Sequence, residues 1–266
     1  MASRMASDTM IHPTAIVDPQ AEIGEGCQIG PHSVIGPNVR LGAKTVVGAH
    51  CVFEGYTTIG SECQFFTGAV IGSPPQDLKF EGEKTELIIG DRNRIREYVT
   101  INPGTKGGIS KTVLGSDCLL MAYSHVAHDC VVGNHVIIAN SAALAGHITI
   151  EDHVVIGGLV GIHQFARVGT VAIIGGCSRV MQDVPPYSTC VGYPAKVFGL
   201  NNEGLRRADV AVDVKDKLHK AFRILFNSGL SMSHALEQVE QHVEPCDEVR
   251  HLLEFIRQSK RGVCRA

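Results

Sequence analysis

Residues 21–42 read AEIGEGCQIGPHSVIGPNVRLG, and a large aliphatic residue recurs in this stretch at every sixth position. These key residues, Ile23, Ile29, Ile35 and Leu41, are each followed by glycine. Each group of six therefore predicts a short strand with one large inward side chain. A turn follows the strand, and we expect the glycine to supply the positive φ of that turn.

The same period extends over most of the chain, and every key position holds an aliphatic residue or a phenylalanine. Three hexads close one triangular coil, and coils stack as parallel strands about 4.8 Å apart. The pattern predicts an all-β solenoid, a parallel β-helix of the hexapeptide type. The key residues are Ile11, Val17, Ile23, Ile29, Ile35, Leu41, Val47, Phe53, Ile59, Phe65, Ile71, Ile89, Ile95, Ile101, Leu114, Leu120, Val126, Val132, Ile138, Leu144, Ile150, Ile156, Ile162, Val168, Ile174 and Val180.

A second inward position lies four residues after each key residue and often holds a small side chain. Five of the nine cysteines occupy it, which predicts structural thiols in a reducing cytoplasm rather than a disulfide framework. The small residues that define this position are Ala21, Cys27, Ser33, Thr45, Cys51, Cys63, Cys118, Cys130 and Ala142.

Composition excludes several classes of protein. The 266 residues carry a net charge of −3, which does not favour a nucleic-acid-binding protein. No apolar run approaches the roughly 18 residues that span a bilayer, so we expect no stable membrane insertion. Residues 1–10 are expected to form a flexible leader, and the location that fits best is cytoplasmic.

The repeat also predicts the domain organisation. Residues 11–187 are assigned to the β-helix, with loop excursions at 73–86 and 103–112. Because loops on a rigid scaffold often carry binding residues, the first excursion is interpreted as part of a site, and the second is left open. Residues 188–266 are predicted to form a connector and a small C-terminal helical domain. Its helices are expected from Val210 to the stop at Asn227–Gly229, and over residues 231–242 and 247–259.

Four histidines have spacings that match the coil. His128 and His147 lie one coil apart and nearly in register, and His125 and His163 lie about two coils apart, so all four can lie along one edge of the solenoid. A metal site would need the histidines to converge on one ion with carboxylates behind them. Proton chemistry fits better, because a neutral imidazole titrates at about pH 6.5 and the adjacent Asp129 can hold its tautomer.

Several motifs beyond the repeat occur together in this chain. They are QDLK at 76–79, IGDRNRIRE at 89–97, HVAHDC at 125–130, GG at 157–158, HQF at 163–165, QDVPPY at 182–187 and FGLNNEGLRR at 198–207. The combination resembles the acyl-acyl carrier protein–UDP-N-acetylglucosamine O-acyltransferases of lipid A biosynthesis, a family of the hexapeptide-repeat acyltransferase superfamily. The resemblance runs from Ile11 to the C-terminus.

This resemblance implies a left-handed β-helix and a homotrimer with active sites between neighbouring subunits. The implied reaction is the first step of lipid A biosynthesis, transfer of a 3-hydroxyacyl group from acyl carrier protein to the 3-hydroxyl of UDP-N-acetylglucosamine. By position, the general base falls on His128, its orienting partner on Asp129, and the backbone oxyanion donor on Gly146. No metal and no cofactor follow from the resemblance.

Further positions match residues that bind the substrates in the family. The match to an acyl-chain groove falls on Gly176. Acyl carrier proteins are acidic, so we expect a basic rim formed by Arg92, Arg94, Arg96, Lys106 and Lys111. The substrate-binding matches are Gln76, Asp77, Lys79, His125, His147, Gly158, His163, Gln164, Asn201, Glu203 and Arg207.

Departures from the family leave two points open. Residues 192–195, GYPA, lack the histidine that closes the acyl groove in one member, so the acyl-chain length is undetermined. The acceptor can also be a 3-amino UDP-sugar. Four further functions compete with this assignment. They are a zinc-dependent hydratase of the γ-carbonic anhydrase type, an acyl-CoA-dependent acyltransferase, the N-acyltransferase that acts later in the pathway, and a purely structural solenoid.

Overall fold

A computed structural model describes residues 9–266 of the chain. Residues 1–8 of the expected leader lie outside the described residues. Met10, which was assigned to the leader, instead begins the first strand and pairs with Gln28. The first strand of the described residues therefore starts one residue earlier than the repeat predicts.

Short strands follow one another through the solenoid, and most contain two residues. The last residue of each of these strands is a key residue. The strands are β1 (Met10–Ile11), β2 (Ile16–Val17), β3 (Glu22–Ile23), β4 (Gln28–Ile29), β5 (Val34–Ile35), β6 (Val39–Leu41), β7 (Val46–Val47), β8 (Val52–Phe53), β9 (Tyr56–Ile59), β10 (Gln64–Phe65), β11 (Val70–Ile71), β12 (Glu86–Ile89), β13 (Arg94–Ile95), β14 (Thr100–Ile101), β15 (Lys111–Leu114), β16 (Leu119–Leu120), β17 (His125–Val126), β18 (Val131–Val132), β19 (Ile137–Ile138), β20 (Ala143–Leu144), β21 (Thr149–Ile150), β22 (Val155–Ile156), β23 (Gly161–Ile162), β24 (Arg167–Val168), β25 (Ile173–Ile174) and β26 (Arg179–Val180).

These strands form the three faces of a triangular prism. Every third strand belongs to the same sheet: sheet A contains β1, β4 and their successors, sheet B contains β2 and β5, and sheet C contains β3 and β6. Neighbours in a sheet are parallel and lie one coil apart, as Ile11 does from its partner Ile29. The turn from a strand of sheet B to the next strand of sheet C is called here the B–C corner, and the A–B and C–A corners are defined in the same way.

The core is the interior of the prism. Key residues such as Ile71, Ile95 and Ile101 are fully buried, and each contributes about 1.5–3 kcal/mol relative to exposure. In the first coil the key residue Ile11 is 47% exposed, because no coil of the described residues, 9–266, lies before it. The predicted period therefore corresponds to the buried ladder of the solenoid.

The expected role of the glycines is wrong. Positive φ occurs three residues after the key residue, and mostly at other residue types, for example His32 and Lys44. The glycine directly after the key residue is required by close approach between coils. A Cβ on Gly30 would lie 2.5 Å from the Gly48 carbonyl oxygen, and a Cβ on Gly42 would lie 2.4 Å from the Gly60 carbonyl carbon.

The cysteines of the small inward position donate their thiol hydrogens to carbonyl oxygens one coil further on. Cys63 Sγ lies 3.1 Å from the Gly90 carbonyl oxygen, and Cys130 Sγ lies 3.1 Å from that of Ala145. Burial raises the pKa of the Cys63 thiol to about 11 and that of Cys130 to about 12. Because the thiolate is the reactive form, these cysteines are structural.

Thiol labelling of the native protein at pH 7 should reflect this burial. We expect only Cys177, which is exposed, and Cys246, which is half-buried, to react before unfolding, while seven buried thiols stay protected. Titration of free thiols before and after denaturation counts the reactive and the protected cysteines. A Cys177→Ser variant shows which of the two reactive thiols reacts faster. Rapid reaction of more than two thiols in the folded protein would contradict this assignment.

Both loop excursions leave the solenoid at the B–C corner. The first lies between β11 and β12 and the second between β14 and β15, so the coils that contain them are longer than the others. The strands on either side still pair in parallel, Tyr56 with Glu86 and Glu86 with Lys111. The backbone N–H of Lys106 donates to the Glu83 carboxylate at 3.0 Å, so the two loops contact each other. Both loops and the histidine motif are thus on the same edge.

The end of the solenoid differs from the prediction. The predicted connector forms an antiparallel hairpin of β27 (Ser188–Gly192) and β28 (Ala195–Leu200). Because β27 pairs in parallel with β25, sheet A continues past the predicted boundary at 187. A short helix, α1 (Asn202–Arg207), follows and was not predicted. The three expected helices are present as α2 (Val212–Asn227), α3 (Met232–His242) and α4 (Asp247–Arg257).

Helix α4 packs on the last coils of sheet C. The Arg167 guanidinium lies 4.1 Å from the centre of the Phe255 ring, and His251 lies between the Tyr187 hydroxyl (3.2 Å) and the Glu151 carboxylate (3.1 Å). Within residues 9–266, none of the helices has the length and apolar character needed to cross a lipid bilayer.

Candidate active site

At the B–C corner the predicted site residues stack in two columns. His128, Gly146 and Gln164 occupy one turn position in three successive coils, and Asp129 and His147 occupy the next position. The stacking is direct, because His147 N–H donates to the His128 carbonyl oxygen at 3.0 Å. His125 lies on the outer face of sheet B in the same coil as His128, and His163 follows Ile162 two coils further on. The four histidines therefore lie along one edge of the prism.

His128 and Asp129 form a hydrogen-bonded pair. His128 Nδ1 is 2.9 Å from Asp129 Oδ2, and the Asp129 side chain is fully buried while that of His128 is 14% exposed. A carboxylate only accepts hydrogen bonds, so Nδ1 carries the proton of the neutral ring and Nε2 carries its lone pair. This arrangement prepares Nε2 of His128 to accept a proton.

The second loop excursion holds the Asp129 carboxylate. Thr105 Oγ1 donates to Oδ2 at 2.6 Å, the Thr105 N–H lies 3.1 Å from both oxygens, and the Ile109 N–H donates to Oδ1 at 2.9 Å. Burial acts to raise the pKa of Asp129, but the hydrogen bonds from Thr105 and His128 outweigh it and leave the pKa below its usual value. Asp129 therefore remains a carboxylate when the loop is in place.

Gly108 completes this loop by leaving room for the carboxylate. A Cβ at this position would lie 2.2 Å from Asp129 Cγ. Thr105, Gly108 and Ile109 support the Asp129 carboxylate, and the sequence analysis did not identify them. The signal was the glycine-rich composition of an insertion one coil before the histidine motif, but their contact with Asp129 depends on the loop conformation, which the repeat does not specify.

Thr105→Val should weaken the support of Asp129 while keeping the side-chain volume. Loss of a buried hydrogen bond to a charged acceptor predicts a free energy of unfolding lower by about 2 kcal/mol. The contribution of Asp129 is present above its unfolded pKa and disappears as pH falls through its lower folded pKa. A higher folded pKa in the variant therefore moves acid unfolding to higher pH, which circular dichroism measures.

Thr105→Ser is the matched control because it keeps the hydroxyl. It should unfold at nearly the wild-type pH, whereas an acid transition shifted as far as that of Thr105→Val would show that the methyl group, not the hydrogen bond, matters.

The backbone N–H of Gly146 is free to bind a ligand. Within residues 9–266 no group accepts a hydrogen bond from it, whereas the same position at the C–A corner is often capped, as when Ser61 N–H donates to Asp91 Oδ1 at 2.7 Å. A Cβ on Gly146 would lie 2.7 Å from His128 Nε2, so the N–H and the imidazole are neighbours. This pairing of a base with a backbone donor suits acyl transfer.

Two further histidines of the corner, His125 and His147, favour the neutral form. Burial lowers the pKa of His125, and the nearby His128 lowers it further. Burial also lowers the pKa of His147, against the opposing charge of Asp129. His125 Nδ1 lies 2.6 Å from the Thr100 hydroxyl, and the His147 ring stacks on Phe165 at 4.5 Å.

The hydrogen bonds of the Asp129 carboxylate disfavour a metal at this corner. His128, Asp129 and His147 offer ligand atoms within 4.8 Å of one another. However, Asp129 already accepts from the Thr105 N–H and hydroxyl, the Ile109 N–H and His128, which use the roughly four acceptor sites of a carboxylate. The donors favour an orienting aspartate over a zinc ligand.

The first excursion supplies Gln76, Asp77 and Lys79 at the same corner. Gln76 and Lys79 are exposed, and Asp77 Oδ1 accepts from the Lys79 N–H at 3.0 Å. Asp77 lies close enough to His147 for its charge to favour the protonated ring. A cavity between the two excursions is lined by Asp77, Lys79, Thr105 and Lys106.

The remaining predicted positions lie elsewhere on the prism. Gly158 and Gly176 stack at the A–B corner, where a Cβ on Gly176 would be 3.3 Å from the Gly158 carbonyl oxygen. Asn201 lies at the C–A corner, and its amide is engaged with the Val171 carbonyl oxygen at 2.7 Å and the Gly204 N–H at 2.9 Å. Within one chain these positions do not meet His128.

Glu203 and Arg207 are exposed on α1 and pair with each other at 2.8 Å. A stronger contact with Arg206, assisted by Arg207, lowers the pKa of Glu203 to about 2. This helix therefore presents a charged surface at the C–A corner, away from the four histidines of the B–C corner.

The expected basic rim is not one surface. Arg92 lies at the C–A corner and pairs with Asp117 at 2.7 Å, while Arg96 pairs with Glu97 at 2.9 Å at the A–B corner. Arg94 is on sheet A, Lys106 is inside the second excursion at the B–C corner, and Lys111 begins β15 of sheet C at the end of that excursion. Within one chain the five candidates therefore do not form one surface, because sequence neighbours are distributed around the prism, and the basic rim stays a prediction.

Comparisons with known proteins agree with this geometry. The family described as Udp N-acetylglucosamine O-acyltransferase; Domain 2 matches residues 183–264, and bacterial transferase hexapeptide repeats match residues 111–146. A Myxococcus xanthus acyl-acyl-carrier-protein–UDP-N-acetylglucosamine O-acyltransferase is 50% identical, over 96% of this chain and 99% of the relative.

Two solved structures are similar over nearly the whole chain. LpxA from Acinetobacter baumannii has a TM-score of 0.93 and 43% identity, with 96% of this chain and 100% of that chain covered. The UDP-N-acetylglucosamine acyltransferase of Arabidopsis has a TM-score of 0.83 and 35% identity, with 96% and 100% covered.

A coil of hexads with a histidine–aspartate pair beside a free backbone N–H defines a hexapeptide-repeat acyltransferase. The predicted fold, a left-handed parallel β-helix with a small helical tail, is confirmed by these structures. At this identity and coverage, the chain belongs to the UDP-N-acetylglucosamine O-acyltransferase family.

Proposed function

We propose that the protein transfers a 3-hydroxyacyl group from acyl carrier protein to the 3-hydroxyl of UDP-N-acetylglucosamine, the first step of lipid A biosynthesis. The names of the relatives specify this reaction as O-acylation, and the 3-amino acceptor and the zinc hydratase are not supported. The observation that carries the proposal is the His128–Asp129 pair beside the Gly146 N–H, in a chain 50% identical to a relative named for this reaction.

The mechanism follows from the proximity of His128 Nε2 and the Gly146 backbone N–H at the B–C corner. Nε2 of His128 takes the proton of the sugar 3-hydroxyl as its oxygen attacks the thioester carbonyl carbon. The carbonyl oxygen becomes an oxyanion and accepts a hydrogen bond from the Gly146 N–H. When the intermediate collapses, the carbon–sulfur bond breaks, and the departing sulfur takes the proton from His128. The products are the O-acylated sugar nucleotide and the carrier protein with a free thiol.

Asp129 assists these reaction steps without becoming protonated. Its hydrogen bond keeps the proton of the neutral His128 ring on Nδ1, and its charge stabilises the imidazolium that forms during attack. The loop contacts of Thr105 and Ile109 fix the carboxylate while this happens. No step requires a metal or a cofactor.

Substrate binding is proposed to use residues of more than one subunit. His125, His147, His163 and Gln164 lie beside the base, and Gln76, Asp77 and Lys79 reach the same corner from the first excursion. Gly158 and Gly176, and the nucleotide-binding candidates Asn201, Glu203 and Arg207, lie at the other two corners. A site that uses all of them requires a neighbouring copy, and this supports the homotrimer.

Two further expectations rest on this function. Contact with acyl carrier protein remains a proposal, with Lys106 as the candidate of the predicted basic rim that lies inside the second excursion at the active corner. A cytoplasmic location is supported by the free thiols, since seven of the nine cysteines are buried and unpaired in the described residues.

The direct test is acyl transfer from a panel of 3-hydroxyacyl carrier proteins to UDP-N-acetylglucosamine, with the 3-amino analogue in parallel. We expect an ester product with the natural acceptor, and the preferred donor will give the acyl-chain length. Sedimentation of the same sample tests the trimer. If no donor yields product with either acceptor, the acyltransferase proposal fails.

A further inference from the structure

The last residues of the chain reach the B–C corner, where the Arg261 guanidinium lies against His163. Arg261 Nη2 is 3.2 Å from His163 Nδ1, and its Nε and Nη2 both donate to the Met181 carbonyl oxygen at 3.4 Å. A guanidinium contains only donors, so Nδ1 of His163 accepts in this contact. The neutral ring then carries its proton on Nε2.

A second contact of the same nitrogen requires the opposite tautomer. His163 Nδ1 also lies 3.0 Å from the Gln164 carbonyl oxygen, which only accepts. A proton on Nδ1 satisfies Gln164 and excludes Arg261, whereas a lone pair on Nδ1 satisfies Arg261 and leaves Gln164 without this donor. The position of the guanidinium therefore selects between two tautomers of His163.

The segment that carries the guanidinium is held firmly by the buried residue Asp183. The Ser259 hydroxyl donates to Asp183 Oδ2 at 2.8 Å. The Asp183 N–H donates to the Gly262 carbonyl oxygen at 3.0 Å, and the Cys264 N–H donates to the Asp183 carbonyl oxygen at 2.8 Å. The tail is thus bound to the last coil on both sides of residue 261, which limits the freedom of the arginine.

The other ring nitrogen of His163 is available to a ligand. His163 lines an open groove of about 380 Å³ together with His125, Ala145 and Met181. Both protein contacts of the ring use Nδ1, and no group in residues 9–266 hydrogen-bonds to Nε2. The tautomer therefore decides whether the groove receives a donor or an acceptor at this point.

We propose that Arg261 is a positioning residue that holds His163 as the Nε2–H tautomer, so that His163 donates a hydrogen bond to an oxygen atom of the bound substrates. This inference rests on the proposed function, whose thioester and sugar nucleotide both present carbonyl or phosphate oxygens to the corner. Without the guanidinium, Gln164 takes the Nδ1 proton, and a substrate oxygen meets the lone pair of Nε2.

The tautomer is measured directly, without substrate, by long-range proton–nitrogen NMR of protein labelled with ¹⁵N-histidine. The wild type and Arg261→Lys should show the proton of His163 on Nε2, and Arg261→Met should show it on Nδ1. Arg265→Met is the matched control, because it removes an exposed arginine of the same tail, and it should match the wild type. An unchanged tautomer in Arg261→Met overturns the proposal.

Kinetics test whether the arginine acts through the histidine. Arg261→Met should lower kcat/KM about tenfold, and Arg261→Lys should restore most of the loss. In a His163→Ala background, Arg261→Met should have no further effect. A full additional tenfold loss in that background would show that Arg261 acts independently and would overturn the assignment.

The two readouts separate this inference from the proposed function. If the wild type transfers no acyl group, the function fails while the NMR comparison still tests the tautomer. If Arg261→Met does not fold, Arg261→Lys provides the decisive comparison. A proton on Nδ1 of His163 in the folded Arg261→Lys protein would also contradict the proposal.

Discussion

Replacing His128 by alanine is expected to lower kcat for acyl transfer roughly 10³-fold with little change in folding. The loss is large because Nε2 of His128 is the group placed to take the hydroxyl proton, and a positioned general base contributes about 10²–10⁴ in rate. Folding should persist because Asp129 keeps its hydrogen bonds from Thr105 and Ile109. Single-turnover rates with a saturating donor, together with circular dichroism and sedimentation, measure both effects.

His135→Ala is the control for this experiment. His135 is also a turn histidine, stacked on His153 at 4.7 Å, but within its own chain it lies at the C–A corner, away from His128, and it is not one of the substrate-binding candidates. Its kcat should stay within twofold of the wild type. A His128→Ala protein that retains more than a tenth of wild-type kcat would assign the base to another residue.

Gly146→Ala should reduce kcat by about 10²-fold or more for a steric reason. The new Cβ would lie 2.5 Å from Cε1 and 2.7 Å from Nε2 of His128, so the imidazole must move away from the oxyanion donor. A displacement of about 1 Å in a reacting group is enough for such a loss. Because Gly146 does not have a positive φ, the backbone itself tolerates alanine.

The comparison variant for this substitution is Gly199→Ala, on β28. An added Cβ at Gly199 meets no atom within 4 Å, so stability and kcat should both be unchanged. If Gly146→Ala loses stability in proportion to activity, the effect would reflect general unfolding, and the proposed clash with His128 would be wrong.

The fold could be predicted from the sequence because one hydrophobic pattern repeats along the chain. The key residues specify the inward position of almost every coil, and the period of three hexads per coil is enough to place His128, Gly146 and Gln164 in one column. The same pattern could not explain the glycines. Their requirement comes from the distance between adjacent coils, as at Gly30 and Gly48, and not from their own backbone conformation.

The parts that escaped prediction depend on contacts outside the period. The loop contact between Thr105 and Asp129 passes through an irregular segment, and Arg261 reaches His163 from far along the chain. The hairpin of β27 and β28 was read as a connector because its strands follow no hexad. In each case the missing information is the path of a single nonrepeating segment, which composition alone does not specify.

The stacking of coils also sets a fixed spacing along the outer faces of the solenoid. Along the outer face of sheet B, His125, Ala143, Gly161 and Arg179 follow one another at one residue per coil, each about 4.8 Å beyond the last. The length of a ligand that lies along this column therefore corresponds to a number of coil spacings. Insertion or removal of one complete coil between His147 and Arg179 would change the length of this column by one coil spacing. The His128–Asp129 pair would stay as it is.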